Sequence, residues 1–191
     1  MKISKLSADT RIPGLSHLTL ADFWSWSYSD LWSNRNRAIL AEFIVGAVLG
    51  VIDSPRVEWD AVDLVYRGKT IEVKSAAFLQ SWQQDRPSRI VFDISRKKSW
   101  YAATNTWSAE PLRAADCYVF CLYPETDPQK ADILDIPSWR FFVLSREVID
   151  QEFKDQKSVS LKTLQKTLEA TNSKNLKAWI DMCLFPQKTE N

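Results

Sequence analysis

The stretch from Trp59 to Trp82, WDAVDLVYRGKTIEVKSAAFLQSW, leaves few folds open to this chain. Val62, Leu64 and Tyr66 alternate with Asp63 and Val65; after Arg67-Gly68, Ile71 and Val73 alternate with Glu72 and Lys74. Such alternation specifies two half-buried strands joined by a tight turn, each with one apolar and one mixed face. A two-residue loop at Arg67-Gly68 sets Asp63 opposite Glu72, and a loop two residues longer sets it opposite Lys74. Either register gathers Asp63, Glu72 and Lys74 on one sheet face.

Two carboxylates and a lysine on one face repel or attract strongly enough to need a reason, because like charges raise each other's pKa unless a partner intervenes. A divalent cation is such a partner. Asp63 and Glu72 offer hard oxygen ligands suited to Mg²⁺, and Lys74 can orient a water or neutralise a bound phosphate. This chemistry suits phosphodiester hydrolysis. The pattern of Asp63 followed by Glu72-Val73-Lys74 resembles the PD-(D/E)xK nuclease superfamily over roughly residues 34–123. Val62 stands where that family often has Pro. The resemblance implies a restriction-endonuclease-like core in which Asp63 and Glu72 bind Mg²⁺, with Mn²⁺ as a substitute. It further implies that the Val73 carbonyl is a ligand and that Lys74 positions the attacking water. Asp60 is the rival first carboxylate, but on a straight strand it faces the other way. The short tripeptide pattern also fits Glu152-Phe153-Lys154 and Asp155-Gln156-Lys157. Those lie in a polar run without alternation.

Upstream, the strongest helix pattern runs from about Arg35 to Leu49, with Ser33 or Asn34 to cap it and Gly50 to close it. Between Arg37 and Asp53 its only charged residue is Glu42. A carboxylate in a helix that is apolar nearly all round is neutralised, hydrogen-bonded or metal-paired. The resemblance makes Glu42 an extra ligand or a contact to a ligand water; the alternative is a pair with Arg35 or Arg37. Arg56 to Trp59 reads as a first strand, and Ser75 to Gln84 has helix-like content. Within it the resemblance marks Gln80 as a contact near the scissile phosphate.

The totals narrow the field by exclusion. A chain of 191 residues suits one domain with a real core, and a net charge of +1 confines any attraction to nucleic acid to local patches. Three cysteines, Cys117, Cys121 and Cys183, form no CxxC pair, so neither a disulfide framework nor a zinc site is expected. The single histidine, His17, lies in a loop-like stretch without a nearby carboxylate, which disfavours histidine-dependent hydrolysis. Four glycines provide no P-loop and no GxGxxG. The start, MKISKLSADTR, lacks the apolar core of a signal peptide, and the run Phe43 to Ile52 is too short to span a bilayer. A cytoplasmic setting without membrane association is expected.

Elsewhere, residues 1–18 read as irregular, and Thr19 can cap a short helix. Trp24, Trp26, Tyr28, Leu31 and Trp32 then either pack over the core or stack bases. Ile90 to Ile94 reads as a strand. SRKKSWYAATNTW interleaves cations and aromatic rings, as a DNA-facing surface or as a basic turn and buried helix. CYVFCLY (Cys117 to Tyr123) and WRFFVL (Trp139 to Leu144) read as central strands, with Arg113 and Asp116 near the site. Helices capped by Ser160 and Ser173 follow, and their lysines make a solvated face or a second DNA contact. The expected whole is an α/β fold with a mixed sheet of about five strands flanked by helices. It comprises an aromatic extension (1–33), a nuclease core (34–123) and a C-terminal strand with helices (124–191). The expected activity is Mg²⁺-dependent DNA hydrolysis, with a homodimer plausible for cutting both strands. The alternatives are an inactive nucleic-acid-binding or assembly module of the same fold, and a cluster of salt bridges without metal.

Overall fold

The structure, a computed structural model, describes residues 4–187. An N-terminal hairpin of β1 (Arg11–Ile12) and β2 (Leu15–Thr19) leads into α1 (Leu20–Tyr28) and then α2 (Asn34–Leu49). The stretch expected to be irregular is therefore partly paired; its residues 1–3 lie outside the described residues. Beyond α2 come β3 (Leu64–Tyr66), β4 (Lys69–Ala77), β5 (Val91–Asp93), β6 (Trp100–Tyr101), β7 (Thr106–Trp107) and β8 (Cys117–Tyr123). The chain ends with β9 (Arg140–Ser145), α3 (Arg146–Glu152), β10 (Ser158–Ser160), α4 (Leu161–Thr167) and α5 (Leu176–Leu184).

The main sheet has four strands in the order β3-β4-β8-β9. The β3–β4 hairpin has the shorter of the two registers, Tyr66 opposite Lys69 and Leu64 opposite Ile71. Arg67 (φ 50°) and Gly68 (φ 76°) both lie in the left-handed region, as a two-residue type I′ turn requires. β8 runs parallel to β4, from Ile71 opposite Cys117 to Ala77 opposite Tyr123, and antiparallel to β9. Every residue of β8 is buried, which its unbroken apolar sequence demands of a strand covered on both faces.

Period-two alternation sorts the side chains into two cores. Ile71, Val73, Val119, Cys121, Phe141 and Val143 face α2 and α5. Ala76, Tyr118, Phe120, Leu122, Phe142 and Leu144 face Phe92 of β5, Ile149 of α3 and Leu164 of α4. Glu72 and Lys74 share the parity of Ala76 and so lie toward the second core. On the opposite face, α2 approaches closely at Gly46, where a Cβ would meet Ile52 Cγ2 at 2.8 Å and Leu64 Cδ2 at 3.4 Å. That approach sets Glu42, one turn earlier, beside the start of β3.

Four expectations need correction. Arg56 to Trp59 forms no strand. Ser75 to Gln84 is not a helix: β4 continues to Ala77 because pairing with β8 overrides the helical propensity of its alanines. The loop beyond is laced by amides, with Gln80 N donating to Gln84 Oε1 at 2.7 Å and Gln84 Nε2 to Ser88 Oγ at 3.0 Å. The main sheet has four strands rather than about five: the strand expected at Ile90 to Ile94 forms as β5, but pairs with β10 outside that sheet. The aromatic basic segment is the β6–β7 hairpin, with Trp100 opposite Trp107, and not a buried helix. Of the N-terminal aromatic cluster, Leu31 and Trp32 pack against the core, whereas α1 buries no residue.

Helix ends follow their sequence signals. The Ser33 hydroxyl accepts from Asn36 N, Gly50 closes α2, and Ser160 accepts from Thr163 N. Thr19 N donates to Asp22 Oδ2 at 2.7 Å. Asn175, rather than Ser173, precedes α5. Among the described residues, no helix is long and apolar enough to cross a membrane.

Candidate active site

Asp63 immediately precedes β3, and its side chain continues the pairing of that strand with β4. Its N–H donates to the Ile71 carbonyl at 3.2 Å, and its Oδ2 accepts from Val73 N at 2.7 Å. The carboxylate thus replaces the next strand residue as a partner for β4. Within a strand a residue's N–H and C=O face the same side. The Val73 carbonyl therefore faces the same open edge as Asp63.

This placement puts Asp63 at the boundary between the two faces of the sheet. With Glu42 it lines a cleft of about 490 Å³ on the α2 side, which also includes Arg56 and Asp60. Glu72 and Lys74 line a separate recess of about 60 Å³, together with Asp93, Lys97, Ser99 and Tyr118. The four expected residues therefore do not share a single pocket: Asp63 stands between the pair Glu72 and Lys74 and the lone Glu42.

Each glutamate has its own cation. The Lys74 ammonium bonds Glu72 Oε1. Arg56 grips Glu42 with both arms, Nε on Oε2 and Nη2 on Oε1 at 2.9 Å. Glu42 is only 7% exposed, and this fork offsets the cost of burying its carboxylate. Asp63 has no such cation bonded to it. Burial, reinforced by the charges of Glu72 and Glu42, raises its pKa to about 7 against the pull of the Val73 N–H and of Lys74. For Lys74, burial pushes the pKa down, but Glu72, aided by Asp63 and Asp93, brings it above the usual lysine value. Burial and then Glu72 raise the pKa of the Tyr118 phenol at the recess wall.

Gln80 is engaged elsewhere. Its Nε2 donates to Ala77 O at 2.9 Å and Ser88 Oγ at 3.2 Å, and its Oε1 accepts from Arg37 Nη1 at 3.3 Å. None of these bonds reaches Asp63, Glu72 or Lys74. Asp60, the rival carboxylate, accepts from Ala61 N at 2.8 Å and from Ala102 N at 3.1 Å, and so ties the β6–β7 hairpin to the segment before Asp63. The cations of the preceding segment are largely committed: Arg96 to Asp150 and Asp155, Lys97 to Asp93. Arg113 and Asp116, expected near the site, bind elsewhere, to Asp150 and to Thr70.

Arg56 and Asp93 were not singled out in the sequence. Arg56 carried a signal, being the only basic residue between Arg37 and Arg67 and therefore the nearest downstream counter-charge for Glu42. Asp93 carried one too, as the only acid in an otherwise apolar strand.

A hard cation would find oxygen donors here in Asp63, Glu72 and the Val73 carbonyl. Among the described residues, no three His, Cys, Asp or Glu side chains are gathered closely enough to hold a metal. Two carboxylates and a carbonyl nevertheless suit Mg²⁺, which keeps several waters and is seldom caged wholly by protein. No protein-family model, curated protein or solved structure matches the chain.

Proposed function

We propose that this chain is a divalent-cation-dependent nuclease that hydrolyses phosphodiester bonds in DNA, built on a restriction-endonuclease-like core of the PD-(D/E)xK type. The observation that carries this reading is the charge count around Asp63. Three carboxylates (Asp63, Glu72 and Glu42) face two cations, Lys74 and Arg56, and the carboxylate left over is the one standing between the other two. One divalent cation and the single negative charge of one phosphodiester would bring the set to neutrality. The element order supports the same reading: a buried helix, then a hairpin with Asp63 before its first strand and Glu72 and Lys74 on its second, then a parallel strand.

Asp63 and Glu72 would hold the ion, with the Val73 carbonyl on the same edge. The ion's contribution is to polarise the phosphate and lower the cost of charge on the leaving oxygen. Lys74 would hold and orient the attacking water: its ammonium bonds Glu72, and an ammonium carries two further donors. Glu42 acts through charge: locked in the Arg56 fork, it helps to keep Asp63 electron-rich and receptive to a cation.

One observation favours a second reading. Both glutamates are already paired with cations, which is how a salt-bridged, inactive nucleic-acid-binding module of the same fold would look. Incubation of the purified chain with supercoiled plasmid and Mg²⁺ or Mn²⁺ separates the two. The nuclease reading expects metal-dependent nicking or linearisation, lost in Glu72→Ala and Lys74→Ala. Absent cleavage, or equal cleavage by the variants, would remove it.

A further inference from the structure

The cleft on the α2 side is larger than metal chemistry needs. Its volume of about 490 Å³ lies within the ~300–1,000 Å³ typical of pockets for small organic groups. Its walls include Ile39, Phe43, Ile52, Val57, Val62 and Val65, and its polar groups include Arg56 and Asp63. Phe43 belongs to a helix whose neighbouring residues Ala41, Glu42, Ile44 and Val45 are all buried, yet it is itself 55% exposed. An exposed ring beside an apolar hollow that abuts a charged centre has the chemistry of a stacking surface.

A second exposed aromatic immediately precedes Asp60, which lines the cleft. Trp59 is 81% exposed and has φ 136°, a backbone conformation that side-chain-bearing residues rarely adopt. Such strain persists only where surrounding contacts impose it. Here Asp60, the next residue, is pinned by the backbone amides of Ala61 and Ala102. The Ala102 bond also ties in the β6–β7 hairpin, which carries the exposed Trp107.

Resting on the nuclease reading, we propose that this cleft receives one unpaired nucleobase of the substrate, stacked against Phe43 beneath Trp59, with the adjoining phosphate at Asp63. The preferred substrate is accordingly a single strand, or a duplex with unpaired bases. A base inside an intact duplex presents no face to such a hollow and enters only after unstacking and unpairing. The walls recognise a flat apolar face without reading its edge, so stacking here is tolerant of sequence. Arg56, already paired with Glu42, lines the same cleft.

The test measures binding separately from hydrolysis. In EDTA, fluorescence anisotropy of the full chain with a 5′-labelled oligo(dT) is compared with a labelled blunt duplex of equal length. The expected result is about ten-fold tighter binding of the single strand, with about five- to ten-fold losses in Phe43→Ala and Trp59→Ala. Val57→Asp, which places a charge on the wall without removing a ring, gives the same loss should Phe43→Ala fold poorly. Equal affinity for both oligonucleotides, or wild-type affinity in all three variants, overturns the subsite. If the wild type cuts plasmid in Mg²⁺ but shows no single-strand preference, the subsite falls and the nuclease reading stands. If the single strand binds as expected and nothing is cut in Mg²⁺, the hydrolytic reading falls and the base-binding cleft stands.

Discussion

Arg113 and Asp63 are two of the places where this molecule draws a charged group inward, and it treats them in opposite ways. Arg113 is 3% exposed and closed on every side: Nε donates to Ile94 O at 2.7 Å, Nη2 to Gln156 O at 3.1 Å, and Nη1 bonds the Asp150 carboxylate. It joins the end of β5 to α3 and the turn after it, and nothing about it is left to bind. Asp63 has one firm hydrogen bond, two carboxylate neighbours and no cation of its own. The first arrangement is finished by the fold alone. The second is complete only when something positive arrives, and that difference separates a structural charge from a candidate site.

Removing each charge should therefore move stability in opposite directions. Arg113→Ala strands two backbone carbonyls and leaves a cavity, so chemical denaturation should show a loss of about 3–5 kcal/mol. Asp63→Asn keeps the shape and discards the surplus charge. In the metal-free protein near pH 8 it should gain about 1–2 kcal/mol, a figure below the full pKa shift because the carboxylate is partly solvated. Were both substitutions to destabilise equally, the contrast would be lost.

The pH dependence sharpens the same point. Folded Asp63 holds its proton up to about pH 7, whereas the unfolded chain releases it near the ordinary aspartate value of 3.8. Between those values the folded state binds more protons, so metal-free stability falls as pH rises through the window. Melting curves across it should show that decline in the wild type and a flatter profile in Asp63→Asn. The smallest effect is expected at Trp59. Replacing it with glycine relieves φ 136° and should raise stability by about 0.5 kcal/mol, with the flexibility of glycine in the unfolded chain offsetting part of the gain.

Much of this was legible in the residues. Alternation across Val62 to Lys74 and the Arg67-Gly68 turn gave the hairpin and one of its two possible registers. Ser33 and Gly50 bracket α2 as their chemistry requires. The unbroken apolar runs of β8 and β9 announce central strands. What stayed hidden depends on contacts distant in sequence. Ser75-Ala76-Ala77 looks helical until β8 arrives to pair with it, and Ile90 to Ile94 reads as a sheet strand until β10 claims it. Alternation alone also placed Asp63 on the face of Glu72, whereas β3 stops one residue short and leaves the Asp63 carboxylate at the sheet edge, bonded to Val73 N. Glu42 was recognisable as a buried carboxylate, but its partner Arg56 lies beyond the helix, where i to i+4 reasoning does not reach.

The central claim is that the charge around Asp63 is completed by a divalent cation. Isothermal titration calorimetry of Mn²⁺ into the wild-type chain and into Asp63→Asn near pH 8 tests it most directly. The account predicts saturable binding by the wild type, with a matching rise in melting temperature, and the loss of both in the variant. No binding by the wild type, or undiminished binding by Asp63→Asn, would contradict it.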